Sequence, residues 1–265
     1  MPLSLINIIW KYRLEPEPDA SKCSSLKFKA VLFDLGNTLV YSHPEITFQR
    51  ILADHGVTKR LKEVKNALIR GNTEFDIERH EGLSAHEFYT QWNIIQLKHL
   101  GLEGSKARRL AATIDSEWWK YAEFHVYSDV ERSLHRLKQM GLKLGIITGG
   151  FEEDIEAIMP KTGLDDLFDV KVGVNATGKR KPHPEAFKHA LRQLGIKPSE
   201  AIFVGDNFKA DYKGAEKAGM KPILIRRKGS STQSLFTDVR LKLPSGVRSI
   251  RRLDEIFNVL KTINP

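Results

Sequence analysis

The sequence has very little cysteine and no long apolar run. Its 265 residues include one cysteine, Cys23. A single thiol cannot form an intramolecular disulfide, and it excludes a metal site built from several thiolates. No apolar segment approaches the roughly 20 residues that a bilayer span needs. The apolar start, Leu3 to Trp10, has no positive side chain before it and no clear cleavage site after it. We therefore expect neither a membrane span nor a secretory signal, and we predict a cytoplasmic protein.

Positive charge, in contrast, is abundant. The formal net charge is +9 and the sequence pI is about 9.5, a balance that favours anionic ligands through long-range attraction. The basic residues form short clusters at Lys179–Lys181, Arg226–Lys228 and Arg251–Arg252, for which the commoner interpretation is solvated surface charge. No helix-turn-helix, zinc-finger or aromatic RNA-binding signature accompanies them. The expected partner is a small anionic substrate rather than nucleic acid.

The first half of the chain contains three segments that differ in composition and in the spacing of apolar residues. Residues 1–26 have the composition of an extension and a linker, with prolines and acids at Glu15 to Asp19. An apolar run from Phe28 to Asp34, typical of a buried parallel strand, follows. Between residues 43 and 127, apolar residues recur at helical spacing among many charges, which predicts a helical insert.

After residue 127, short apolar runs alternate with helical patterns. The predicted strands are Lys143 to Thr148, Phe168 to Val174, Ala201 to Gly205 and Pro222 to Ile225. One predicted helix begins at a capping box formed by Ser128 and Glu131. The other predicted helices span Glu152 to Met159, Pro184 to Leu194 and Lys209 to Ala218. Such alternation indicates βαβ units and a parallel sheet. We predict an α/β core of residues 27–42 and 128–265, with residues 43–127 inserted as a helical cap.

Polar residues follow successive predicted strands, at the edge where parallel sheets bind ligands. They are Asp34, Thr148, Lys181, Asp206 and Asp211. Carboxylate oxygens suit Mg²⁺, which prefers a few carboxylates, waters and substrate phosphate. A carboxylate can also act as a nucleophile, and a hydroxyl beside glycine amides can hold a phosphoryl group. Each residue alone has an ordinary structural explanation, but their ordered appearance after successive strands indicates a functional site.

Four segments resemble, in the expected order, the signature motifs of the haloacid dehalogenase (HAD) superfamily. They are Phe33–Thr38, Ile147–Gly149, Lys181–Pro184 and Gly205–Asp211. The resemblance spans the whole predicted core. It implies a Rossmannoid three-layer α/β/α fold, and the helical insert after the first motif is similar to the family's C1-type cap.

The resemblance also implies a mechanism. Asp34 would attack phosphorus and form an aspartyl-phosphate, while Lys181 would neutralise charge on the nucleophile and the transferring group. Mg²⁺ would be held by Asp34, the backbone carbonyl of Gly36 and Asp206, and Asp211 would orient the metal waters or Lys181. The residues expected to hold the phosphoryl group are Asn37, Thr148, Gly149 and Lys181.

One position departs from the family pattern. Family phosphatases usually carry a second aspartate, a general acid/base, two positions after the nucleophile, and this chain has Gly36 there. General acid–base help is typically worth roughly 10²–10⁴-fold in rate. The departure implies a slow enzyme, substrates with good leaving groups, or a proton carrier from the cap. Gly149 also stands where asparagine is common.

The leading prediction is a Mg²⁺-dependent phosphohydrolase acting on a small phosphorylated metabolite. A 2-haloacid dehalogenase, whose relatives also lack the second aspartate, is one alternative. A weakly active or regulatory binding module is another. Cap residues decide the substrate, and the aromatic candidates for its pocket, for which core packing is the commoner role, are Trp92, Trp118, Trp119 and Tyr121. The sequence leaves the substrate's identity and the oligomeric state open.

Overall fold

The computed structural model describes residues 27–227 and 243–263. The predicted extension and linker, residues 1–26 with Cys23, lies outside these ranges, as does Lys228. The described strands, in chain order, are β1 (Ala30–Phe33), β2 (Val40–Ser42), β3 (Phe124–Val126), β4 (Lys143–Ile147), β5 (Val170–Val172), β6 (Ala201–Gly205), β7 (Lys221–Ile225) and β8 (Ser249–Ile250).

The α-helices are described in the same way. In chain order they are α1 (Pro44–Asp54), α2 (Leu61–Glu74), α3 (Ala85–His99), α4 (Gly104–Tyr121), α5 (Val130–Gln139), α6 (Glu152–Ile158), α7 (Pro184–Leu194), α8 (Lys213–Lys217) and α9 (Ile256–Ile263). The described ranges contain no helix with the length and hydropathy of a bilayer span.

Six strands form one parallel sheet in the order β5-β4-β1-β6-β7-β8. Both faces of the sheet are covered, as the apolar, unbroken strands require. Val31 and Phe33 pack towards α5, α6 and α9 on one face. Ala30 and Leu32 pack towards α7 and α8 on the other. The predicted three-layer α/β/α fold is therefore confirmed.

The predicted helical insert is present as α1 to α4. These helices share a buried apolar cluster of their own. Each helix contributes to it, for example through Phe48, Val64, Leu97 and Ile114 in chain order. A two-stranded antiparallel ribbon of β2 and β3 connects this bundle to the sheet. The ribbon was not predicted, because three residues in each strand are too few to show a period of two.

The start of α5 and a neighbouring basic cluster differ from the predictions. Helix α5 begins at Val130, with Asp129 rather than Ser128 at its N-cap and no side-chain capping bond. The Asp129 carboxylate instead accepts hydrogen bonds of 2.7 and 2.6 Å from Arg227. Arg227 is only 6% exposed, so the surface-charge interpretation is wrong for this residue. Its guanidinium also donates to the Thr38 carbonyl at 2.7 Å, which fixes the loop after β1.

Most of the remaining predictions hold, with one change of geometry near the site. The four predicted strands are β4, β5, β6 and β7, and the helix from Pro184 to Leu194 is α7. The predicted helix from Lys209 to Ala218 begins instead as a wide π turn, Phe208–Tyr212, before α8. β8 and α9 were not predicted.

Candidate active site

Asp34 lies directly after β1, at the carboxyl edge of the sheet. Its backbone amide donates to the Val204 carbonyl at 2.9 Å, which holds the turn against β6. Its carboxylate accepts from Lys181 Nζ at 2.7 Å and from Thr38 Oγ1 at 3.2 Å. Burial raises the pKa of Asp34 to about 6, and Lys181 opposes that rise while the Asp211 carboxylate adds to it.

Lys181 is the central cation of the site. Its side chain is 3% exposed, and its Nζ lies 2.7 Å from both Asp34 Oδ1 and Asp211 Oδ1. The same nitrogen donates to the Ile147 carbonyl at 2.8 Å. Burial alone would lower the pKa of Lys181, but the carboxylates of Asp211 and Asp34 raise it above its ordinary value. Lys181 is therefore charged at neutral pH.

Asp211 reaches the site because of the π turn and a glycine. The turn brings Asp211 against the end of β6, where Asn207 N donates to its Oδ2 at 2.9 Å. A Cβ atom on Gly205 would lie 2.4 Å from Asp211 Cγ, so only glycine leaves room for this approach. Gly205 thus sets the position of Asp211, a role that sequence patterns alone did not reveal.

Asp34, Asp206 and Asp211 form an acidic cluster in which ligand oxygens lie within 4.8 Å of one another. Asp206 Oδ2 is buried and has no hydrogen-bond partner among the described residues. Burial raises the pKa of Asp206 well above its usual range, and the carboxylates of Asp34 and Asp211 raise it further. A buried, unpartnered carboxylate oxygen beside two others fits a hard divalent cation. The cluster could therefore hold a metal ion.

The loops after β1 and β4 complete the same edge. Thr148 Oγ1 accepts from Gly150 N at 3.1 Å, which shapes the turn after β4. Asn37 is buried and has a positive φ of 57°, a conformation that asparagine tolerates better than most residues. No described atom outside its chain neighbours lies within 4 Å of a Cβ built on Gly36. The place of the family's usual second aspartate is therefore open space.

All the predicted site residues line one cavity of about 510 Å³ between the sheet edge and the helical bundle. They are Asp34, Gly36, Asn37, Thr148, Gly149, Lys181, Asp206 and Asp211. Of the aromatic candidates, Trp92, Trp118 and Trp119 also line it. Tyr121 instead directs its hydroxyl to Asp54.

A second group of residues joins the bundle to the core beside this cavity, and sequence reasoning missed it. Tyr89 of α3 donates its hydroxyl to Asp154 of α6. The Arg180 guanidinium lies 4.0 Å from the ring centroid of Phe88 and 4.7 Å from that of Phe151. It also donates a hydrogen bond to the carbonyl oxygen of Gly149. These contacts link segments far apart in the chain. The only sequence signal was the position of Arg180 directly before the third motif.

Comparison with known proteins agrees with this geometry. The family model described as haloacid dehalogenase-like hydrolase matches residues 28–219. The glyceraldehyde 3-phosphate phosphatase of Methanopyrus kandleri is 30% identical over 213 residues, which cover 75% of this chain and 84% of that protein. The phosphatase of the same name from Pyrococcus furiosus is 31% identical over 207 residues, 76% of this chain and 81% of the relative.

A solved structure supports the same assignment. The HAD phosphatase from Thermococcus onnurineus superimposes with a TM-score of 0.59 at 25% identity, covering 88% of this chain and 98% of that one. The family match begins before Asp34 and ends after the fourth motif, so it includes every predicted site residue. The predicted hydrolase class is confirmed, and the chain belongs to the haloacid dehalogenase-like hydrolase family.

Proposed function

We propose that this chain is a Mg²⁺-dependent phosphohydrolase that forms an aspartyl-phosphate at Asp34 and acts on a small phosphorylated metabolite. The observation that carries the proposal is the buried placement of Lys181 between Asp34 and Asp211, beside the unpartnered Asp206 oxygen. One cation among three carboxylates leaves an anionic cluster that needs a metal ion before it can accept a phosphoryl group. The phosphatase names of the two relatives support this choice.

The residues would divide the work as follows. Asp34 attacks the phosphorus in line with the leaving oxygen. Lys181 neutralises the nucleophile and stays charged throughout, because its carboxylate neighbours raise its pKa. Thr148 Oγ1 and the glycine amides beside it hold the phosphoryl oxygens.

The acidic cluster supports the proposed metal ligands, and the Gly36 carbonyl is added because the family resemblance implies it. Asp34, Asp206 and the Gly36 carbonyl would hold Mg²⁺, with Asp211 oriented towards its waters by Asn207 N at 2.9 Å. When bound, Mg²⁺ supplies positive charge that offsets repulsion between the anionic nucleophile and the anionic substrate.

A 2-haloacid dehalogenase is the second candidate, and Gly36 favours it. Such an enzyme needs no metal, so the buried Asp206 carboxylate would then stand uncompensated near Asp34. A binding or regulatory module is the third candidate, but it gives no reason for the buried placement of Lys181 beside Asp34. We therefore place the phosphohydrolase first.

One set of assays tests the proposal. Hydrolysis of p-nitrophenyl phosphate is measured with MgCl₂ and with EDTA, for the wild type, Asp34→Asn and Asp166→Asn. Asp166 is an exposed aspartate, which makes it a matched control. We expect activity that needs Mg²⁺, survives in Asp166→Asn and falls at least about 10³-fold in Asp34→Asn, because the nucleophile is lost. Activity that ignores EDTA or survives Asp34→Asn contradicts the proposal, and chloride release from 2-chloropropionate would favour the dehalogenase.

Three further assignments are part of the proposal. The core comprises residues 27–42 and 128–265, and the C1-type cap comprises residues 43–127. The ribbon of β2 and β3 supports these boundaries, because it is the narrow connection between sheet and bundle. The cytosol is the proposed compartment, in keeping with a single cysteine.

A further inference from the structure

The cavity has two ends of opposite character. At the phosphate end lie Lys181 and the acidic cluster. At the cap end the lining is mainly apolar and aromatic, with Trp92 from α3, Trp118 from α4 and Phe124 from β3. A phosphate ester that places its phosphoryl group beside Asp34 directs its leaving group towards these rings.

The size of the whole cavity favours a substrate larger than a phosphorylated short polyol. A cavity of about 510 Å³ lies within the range of pockets that bind drug-sized molecules. A phosphorylated three-carbon compound would leave much of the aromatic wall in contact with water. A flat ring would cover it, and ring pairs gain additional attraction in stacked or edge-to-face geometry.

The charges around the cavity exclude a strongly anionic leaving group. Among the described lining residues, the cationic side chains are Arg180 and Lys181. Lys181 is held by two carboxylates, and Arg180 lies between two aromatic rings. Asp115 adds a carboxylate to the lining at the cap end. Further phosphate or carboxylate groups on the leaving group would meet like charge there.

Proton supply is the second constraint, and it is independent of the cavity's shape. A Cβ atom built on Gly36 would have no described atom outside its chain neighbours within 4 Å, so no described side chain packs where the Cβ of the missing aspartate would lie. The two other carboxyl groups that line the cavity are engaged: Asp115 with His86, and Asp154 with the Tyr89 hydroxyl. The chain lacks an acid at the position where family phosphatases usually carry one, so a leaving oxygen that can depart without a proton is favoured. A phenol, with a pKa of about 10 in tyrosine, departs far more easily than an alcohol, whose acidity is closer to that of water at about 15.7.

We propose that the substrates are aryl phosphate monoesters whose leaving group is uncharged or cationic, an inference that rests on the proposed function. Asp34 forms a bond to phosphorus while the bond from phosphorus to the ring oxygen breaks, and the electron pair leaves with the phenolate. A water then attacks phosphorus, the bond to Asp34 breaks and inorganic phosphate is released. The phenolate takes from solvent one proton, which the attacking water returns to solvent.

A substrate series with the full chain in MgCl₂ tests this. The series comprises phenyl phosphate, cyclohexyl phosphate, glycerol 3-phosphate and pyrophosphate, compared by kcat/KM, which reports the steps up to release of the leaving group. Phenyl and cyclohexyl phosphate share ring size and differ mainly in leaving-group acidity. We expect phenyl phosphate to exceed cyclohexyl phosphate by about 100-fold or more, the lower bound of general-acid help. Equal values, or a higher value for pyrophosphate, would overturn the inference.

Hydrolysis of acetyl phosphate distinguishes a failure of this inference from a failure of the proposed phosphohydrolase function. Its leaving group is a carboxylate that needs neither a proton donor nor a ring pocket. If acetyl phosphate is hydrolysed with dependence on Asp34 and the aryl preference is absent, the aryl inference fails and the phosphohydrolase stands. If acetyl phosphate and all four compounds of the series are inert, the proposed function itself fails.

Two variants test the two constraints separately. Trp92→Leu should lower the ratio of kcat/KM for phenyl phosphate over acetyl phosphate by roughly 2- to 10-fold, the worth of an aromatic contact. Phe75→Leu is the control. The Phe75 ring stacks on Trp92, with the ring centroids 5.9 Å apart, but Phe75 is not among the described residues that line the cavity. This variant should keep the wild-type ratio. Gly36→Asp should raise kcat/KM for cyclohexyl phosphate more than for phenyl phosphate. An unchanged ratio in Trp92→Leu, or equal gains in Gly36→Asp, contradicts the inference.

Discussion

Replacing Lys181 with methionine would remove the central charge of the site while keeping most of the side-chain volume. Lys181 Nζ lies 2.7 Å from one oxygen each of Asp34 and Asp211. At an effective dielectric constant of about 20, each such pair gains about 6 kcal/mol before desolvation is subtracted. The side chain is 3% exposed, so desolvation cancels much of that gain. Breaking a buried pair by removing one partner typically costs about 3–5 kcal/mol, and we expect that loss in the metal-free protein at pH 7.

Urea denaturation in EDTA, followed by circular dichroism, measures this loss. Without Lys181, the buried carboxyls of Asp34 and Asp206, whose pKa values burial already raises, gain a still higher pKa in the folded state. The folded variant therefore binds protons that the unfolded chain does not hold at pH 5, and its stability recovers as the pH falls from 7 to 5. We expect the difference from the wild type to shrink over that interval.

The matched control is Lys213→Met. Lys213 Nζ also lies 2.7 Å from a carboxylate oxygen, that of Glu216, but its side chain is 45% exposed. Solvent-screened pairs contribute about 0–1 kcal/mol, so this variant should lose no more than that. Equal losses in the two variants, or a Lys181→Met loss that persists unchanged at pH 5, would refute the electrostatic account of the site.

Three other predictions follow from single contacts. Gly205→Ala should cost about 1–3 kcal/mol of stability in denaturant melts and displace Asp211, because the added Cβ would lie 2.4 Å from Asp211 Cγ; Gly36→Ala, with open space, should cost less and is the control. Mg²⁺ should raise the Tm of the wild type but not of Asp206→Asn, and an equal rise in both would place the metal elsewhere. Burial raises the pKa of Asp154 from 3.8 to about 6, so the wild type should lose up to about 3 kcal/mol of stability as the pH rises through that window. Asp154→Asn should lack this loss, and parallel pH–stability curves would contradict the assignment.

Local sequence patterns were enough to predict the core. Strands β1 and β6 are unbroken apolar runs, and such runs form the centre of a parallel sheet because both faces of that sheet are buried. Parallel strands end at the same edge of a sheet. The residues that follow β1 and its neighbouring strands were therefore expected to lie close together. They line one cavity. The missing acid at Gly36 was also evident from the sequence.

The helical termini were predicted less well. Ser128 and Glu131 match a capping box, yet Asp129 is the N-cap residue, because its carboxylate bonds to Arg227 across 98 positions of the chain. The π turn before α8 also departs from regular helical periodicity, and it is the turn that carries Asp211 to Lys181. Both differences arise from contacts with distant segments.

The sequence by itself determined the α/β core, the order of the site residues and the absence of an aspartate at Gly36, since each depends on residues close together in the chain. Only the tertiary structure decided that Lys181 is shared by two carboxylates, that Asp206 keeps a buried oxygen without a described partner, and that the cap end is aromatic and poor in cations. Lys181 and Asp34 are 147 positions apart. Burial and charge pairing at such separations depend on how helices and strands pack, and periodicity within one segment carries no information about that packing.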